Sequence, residues 1–172
     1  EFIAASVRFM EKAKAEKKPF FVWLNTTRMH VFTRVPQDYL KRCRTLTSAN
    51  DVHCAGMLQH DEEVGGLLNQ LKSLGLDQNT IVVYSTDNGP EHSTWPHGAT
   101  TPYRSEKMTT WEGGVRVPML LRWPGQVKPG TELNGIQSHE DLFTTLAAAG
   151  GVPDIKARLA QALYRNGDTD KA

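Results

Sequence analysis

Residues 87–114 constrain this chain more than any other stretch. They follow directly on Thr80–Thr86 (TIVVYST), an apolar, β-branched run that reads as a buried strand. For 28 residues they show no helical or strand periodicity, and they hold four glycines, three prolines, two histidines and two tryptophans. A structureless stretch of that length is rare in a compact domain unless it is functional or disordered, and the tryptophans and fixed turns argue for order. At the carboxyl end of a strand in an α/β sheet, such a loop is where ligand sites are built.

The rest of the chain reads as the scaffold for that loop. Residues 2 to 17 carry Phe2, Ile3, Val7, Phe9 and Met10 before a Lys/Glu-rich end, which predicts a helix stopped by Pro19. Phe20–Asn25 reads as a buried strand and residues 26–36 as a polar loop at its end. From about Asn50 to Leu74 the apolar residues recur at three and four, the mark of an amphipathic helix, with Gly75 as its C-terminal cap. Val117–Trp123 (VPMLLRW) predicts a third strand, with Pro118 near its start. Ser138 and Asp141 frame a capping-box-like start to a helix reaching about Ala149. Strand, helix, strand with a long crossover predicts parallel strands in an α/β architecture. No internal repeat and no domain boundary shows in residues 1–172, and the tail from about 156 to 172 reads as weakly structured.

Composition removes several classes of function. Twenty basic and nineteen acidic side chains leave a net charge of +1, which gives no electrostatic case for nucleic-acid binding. The longest apolar runs, such as Phe20–Leu24, are too short to span a bilayer. Cys43 and Cys54 cannot make a disulfide scaffold; one bridge between them is allowed and not implied. The chain starts at Glu1 without a signal peptide and is expected to be a fragment.

Four residues at three places carry candidate chemistry. Asp87 and Asn88, in Asp87-Asn88-Gly89-Pro90, offer a carboxylate and an amide carbonyl, hard oxygen ligands suited to Ca²⁺ or Mg²⁺. The same four residues also make a good turn, and two ligands fall short of a full calcium shell. Lys107 lies in a loop with paired glycines, where an ammonium can hold sulfate or phosphate, or stand as a solvated surface charge. His30 lies just beyond the strand FFVWLN, where a histidine can donate a proton to a leaving group or serve as a hydrogen-bonded loop residue. His53, Cys54, His60 and Asp61 with Cys43 invite a zinc reading, but no second half-site has matching spacing. Walker, G-x-G-x-x-G, G-x-S-x-G and H-E-x-x-H motifs are absent.

Read together, PFFVWLNTTRMHVFTRVP, HDEEVGGLLNQLKSLGL, TIVVYSTDNGPE, YRSEKMTTWEGGVRVPMLLRWPG and SHEDLFTTLAAAGG resemble the type I sulfatase family, in its order and over about residues 19–152. The resemblance implies an alkaline-phosphatase-like α/β/α sandwich with a mainly parallel sheet, incomplete here. It implies hydrolysis of sulfate esters on a sulfated small molecule or glycan, with a divalent cation, usually calcium, and a formylglycine made from cysteine in C-x-P-x-R. By motif position, Asp87 and Asn88 are implied cation ligands. Lys107 is implied to hold the sulfate and the bridging oxygen, and His30 to contact the sulfate or the leaving-group oxygen and help protonate it. A periplasmic, secreted or lysosome-like parent is implied.

The departures from the family pattern are equally plain. Neither Cys43 nor Cys54 lies in C-x-P-x-R, and the family's paired N-terminal aspartates and its Lys/His pair are missing. Thr100-Thr101-Pro102-Tyr103-Arg104 has the right spacing, but threonine is not a formylglycine precursor. The chain therefore reads as the later part of a sulfatase catalytic domain, without the half that bears the nucleophile. The alternatives are a phosphate or phosphonate ester hydrolase of the same superfamily, and a non-catalytic, truncated anion-binding module.

Overall fold

The computed structural model describes residues 1–46, 52–96, 98 and 100–151. The chain divides into two compact units, residues 1–129 and 130–172. The first contains α1 (Phe2–Ala15), α2 (Gln37–Leu46), α3 (Val52–Ser73), β1 (Val82–Ser85), α4 (Glu112–Val115) and β2 (Met119–Arg122). In the second, α5 (His139–Ala149) opens with the expected capping box. Ser138 Oγ accepts from the Glu140 N–H at 3.3 Å and the Asp141 carboxylate accepts from the Ser138 N–H at 3.4 Å. The tail expected to be weakly structured lies outside the described residues.

The core of the first unit is formed by α1 and α2 packed on α3. Met10, Ala13, Cys43, Ala55 and Leu71 are its buried apolar residues. A disulfide joins Cys43 of α2 to Cys54 of α3, with Cα atoms 6.0 Å apart, so the bridge that spacing only allowed is made. The Glu62 carboxylate ties the same pair of helices, accepting from Tyr39 Oη at 2.5 Å and from Arg42 Nη2 at 2.6 Å. Helix α3 ends as predicted. Gly75 sits at φ +64°, the Leu76 N–H reaches the Leu71 carbonyl and the Gly75 N–H reaches that of Lys72, each at 2.9 Å. That is the Schellman arrangement, which needs a residue without a Cβ at the left-handed position.

The sheet differs from expectation in two ways. Val82–Ser85 does form a strand, but it pairs antiparallel with Met119–Arg122, Val82 opposite Arg122 and Ser85 opposite Met119. The expected mainly parallel sheet is therefore not what the described residues build. Parallel pairing was inferred from Phe20–Asn25 as the neighbouring strand. Those residues run with alternate side chains half-buried but make no ladder. The connection that does join two paired strands, residues 86–118, carries only one helical turn and so leaves strand direction free. Second, β2 is apolar yet exposed: Leu120 keeps 66% of its surface accessible. Helix α2 was not foreseen. Its apolar residues are few among charged ones, and its packing rests on Cys43 and on the Tyr39–Glu62–Arg42 cluster.

Candidate functional site

The site is built where β1 stops. Asp87, Asn88, Gly89 and Pro90 turn away from the strand, and α4 of the returning chain is pressed against that turn. The Gly89 N–H donates to the Gly114 carbonyl at 3.0 Å. A Cβ on Gly89 would stand 1.8 Å from the Gly113 carbonyl oxygen, and one on Gly113 would stand 2.0 Å from that of Ser105. A Cβ on Gly114 would meet the Thr109 carbonyl at 2.4 Å. Only glycine lets three backbone segments cross this closely. The paired glycines noticed in sequence are thus the contact between the Asp87–Asn88 turn and the Lys107 loop.

Lys107 is held at both ends. Its N–H donates to the Pro90 carbonyl at 2.9 Å, and its Nζ lies 3.2 Å from Glu91 Oε2. The Glu91 carboxylate also accepts from Thr94 Oγ1 at 2.5 Å and Ser93 Oγ at 3.4 Å. The Thr94 hydroxyl and the Lys107 ammonium hold Glu91 below the usual glutamate range. Next to Lys107, the Glu106 carboxylate accepts from the His92 N–H. Ser105 and Met108 bracket the lysine at φ +68° and +72°, a left-handed conformation costly for residues with a Cβ. The base of the loop is stapled by Arg104 stacked 4.0 Å over the Trp111 ring and Arg116 4.3 Å over the Tyr103 ring.

The structure therefore brings Asp87, Asn88 and Lys107 into one loop cluster. The Asn88 amide nitrogen donates to the Gly89 carbonyl at 2.8 Å, which leaves its side-chain oxygen as an acceptor. Thr86 Oγ1 touches Asp87 Oδ1 only at 3.5 Å. Two adjacent hard oxygens at a strand end have the chemistry for a divalent cation. Among the described residues, however, no three His, Cys, Asp or Glu side chains gather as a metal site.

His30 stands apart in an exposed turn, its N–H reaching the Thr27 carbonyl and Thr33 Oγ1, each at 3.2 Å. No hydrogen bond among the described residues joins it to Asp87, Asn88 or Lys107. What ties its segment to β1 is His60 of α3. One ring nitrogen lies 3.2 Å from Thr26 Oγ1 and the other 3.1 Å from Tyr84 Oη. Thr26 is four residues before His30, and Tyr84 three before Asp87. Arg28 anchors the turn further, donating to Gln59 Oε1 at 2.6 Å. Of the residues considered for zinc, both cysteines are in the disulfide and His60 bridges Thr26 and Tyr84, while the His53 ring lies 6.1 Å from that of Trp95. Sequence reasoning assigned nothing to Glu91 and Thr94; the one signal was an acidic residue one step past the Asp-Asn-Gly-Pro turn.

Comparison with known proteins identifies the family. A sequence model of the Sulfatase family matches residues 1–152. Human arylsulfatase A is 33% identical over 153 residues, covering 88% of this chain and 29% of that protein. N-acetylgalactosamine-6-O-sulfatase of Bacteroides thetaiotaomicron is 34% identical over 143 residues, covering 77% of this chain and 27% of that protein. The crystal structure of PsFucS1 sulfatase from Pseudoalteromonas sp. superposes with a TM-score of 0.80 at 33% identity, over 88% of this chain and 30% of that one. Ps i-CgsB, solved in complex with k-i-k-neocarrahexaose, superposes with a TM-score of 0.75 at 31% identity, over 87% and 33%. The chain belongs to the sulfatase family, and its α/β architecture is part of the alkaline-phosphatase-like fold of those structures. It spans under a third of the length of the relatives just named.

Proposed function

We propose that this chain supplies the cation-binding turn and the sulfate-holding lysine of a sulfate ester hydrolase. The observation that carries the reading is the glycine crossing that locks the Lys107 loop onto the Asp87–Asn88 turn, in a chain matched by the Sulfatase family over residues 1–152. Asp87 and Asn88 present the oxygens that would hold calcium. A bound cation supplies charge to stabilise the sulfate oxygens. Lys107 neutralises the developing charge on the bridging oxygen, and His30 delivers a proton to the leaving alcohol. The nucleophile, a formylglycine in this family, comes from outside these motifs, since neither cysteine lies in C-x-P-x-R and both are in a disulfide. A sulfated glycan is the substrate class, supported by the names of the relatives. The Cys43–Cys54 bridge supports an oxidising compartment, periplasmic, secreted or lysosome-like. No helix among the described residues is long and apolar enough to cross a membrane.

The test is turnover in a complete sulfatase domain that carries this segment. Lys107→Ala should cost about 10²–10³-fold in kcat on an aryl sulfate. His30→Ala should cost about 10²–10⁴-fold on alkyl sulfates. Its cost should be smaller on aryl sulfates, whose leaving groups need little protonation. Near-normal turnover in both variants sinks the assignment, and preference for phosphate esters across a substrate panel moves it to phosphoryl transfer.

A further inference from the structure

We infer that Glu91 is a positioning residue for Lys107, a role that rests on the sulfate-holding reading of that lysine. A lysine ammonium rides on four rotatable bonds and has no fixed direction of its own. Transition-state stabilisation requires such a charge to be in place before the reaction starts. Around Lys107 the means of doing so are visible. The Pro90 carbonyl holds its N–H at 2.9 Å, and the next residue, Glu91, holds its Nζ at 3.2 Å. Backbone and tip of one side chain are thus held by two consecutive residues, both just beyond the Asp87–Asn88 turn.

Glu91 is itself constrained. Thr94 Oγ1 donates to its other oxygen at 2.5 Å, Ser93 Oγ approaches that oxygen at 3.4 Å, and only 19% of the side chain is exposed. The lysine side chain, at 21%, is similarly shielded, so this pair is unlike the open Lys12–Glu16 pair at the end of α1. An ammonium has three N–H donors. Glu91 takes one and leaves two, aimed away from the carboxylate, for an anion. The carboxylate also weakens the net pull of Lys107 on that anion, so aim is gained at some expense of charge.

The experiment is a double-mutant cycle in a complete sulfatase domain carrying this segment, with an aryl sulfate as substrate and inorganic sulfate as the competing anion. Glu91→Ala should lower kcat by about 10²-fold, the scale of an ångström-level misplacement of a reacting group. Glu91→Gln keeps an acceptor for Lys107 and should lose less; it also reads the role if the alanine variant does not fold. Glu91→Asp should recover part of the activity. Lys107→Ala combined with Glu91→Ala should be no worse than Lys107→Ala alone, because the two act as one unit. If Lys107→Ala is impaired and neither Glu91 variant is, the positioning role fails and the sulfate-holding lysine stands. If Lys107→Ala is itself normal, the functional reading fails and takes the positioning role with it. Losses that multiply in the double variant, or Glu91 variants that bind sulfate more tightly and turn over faster, also overturn the positioning role. In the latter case Glu91 competes with the anion instead of aiming the lysine.

Discussion

The N–H of Gly89 reaches the carbonyl of Gly114 at 3.0 Å, across the whole of the irregular loop. The contact fixes how close the Asp87–Asn88 turn and the Lys107 loop stand. Gly89→Ala would drive a methyl into the Gly113 carbonyl, a backbone atom that cannot rotate aside. It should destabilise by about 1–3 kcal/mol or more. Gly65→Ala, in the middle of α3 with open space around it, should instead stabilise by about 0.5–1 kcal/mol. Urea unfolding of the two variants checks both signs.

The Cys43–Cys54 bridge closes a short loop, 11 positions apart, between α2 and α3. Replacing both cysteines by serine should cost about 3 kcal/mol through the freed unfolded chain. Chemical denaturation with and without reductant measures it. A chain indifferent to reductant would show that the bridge adds nothing to the packing of α2 on α3.

Acid should loosen the site by a route that can be followed. Glu91 is held below the ordinary glutamate value of 4.5, first by the Thr94 hydroxyl and then by Lys107. A carboxylate with a depressed native value contributes stability that is present above 4.5 and fades as the pH falls through that native value. Glu62, lowered by Arg42 and Tyr39, behaves the same way. Unfolding free energy should therefore drop with acidification below about pH 4.5, and Glu91→Gln should flatten part of that slope. An unchanged slope in Glu91→Gln would mean that the ion pair adds nothing to stability.

By itself, the 172-residue chain should not hydrolyse an aryl sulfate above the buffer rate, because neither cysteine lies in C-x-P-x-R. The sensitive control is Thr100→Ala. Activity that survives repurification and vanishes with that substitution would make the Thr100–Arg104 segment a nucleophile motif after all.

What could be read from sequence was what rests on local chemistry. Helix α3 was legible from its three-and-four spacing, its end from Gly75, the capping box from Ser138 and Asp141, and β1 from a branched apolar run. The Asp-Asn-Gly turn and the Lys107 loop were legible because their residue types recur together in one family. Illegible were the contacts whose partners lie far apart in sequence without a repeating pattern. His60 joins Thr26 and Tyr84 across 34 and 24 positions. Glu91 and Lys107 meet because α4 folds back onto the turn, and no periodicity in between announces it. The antiparallel sense of β1 and β2 was hidden for the same reason: a long irregular connection leaves strand direction open.

That connection, residues 86–118, also sets the order in which the chain can take shape. Helices α1 to α3 are made of neighbouring contacts and can form early. The pairing of β1 with β2 must first close a loop of more than thirty residues, and the entropy of closure precedes any reward. The glycine crossing and the grip on Lys107 lie inside that same loop and are themselves closures over many residues, so they too come after the helices. Amide exchange during refolding should thus find Gly89, Lys107 and Gly114 protected together with Val83 and Leu121, as a late and cooperative unit.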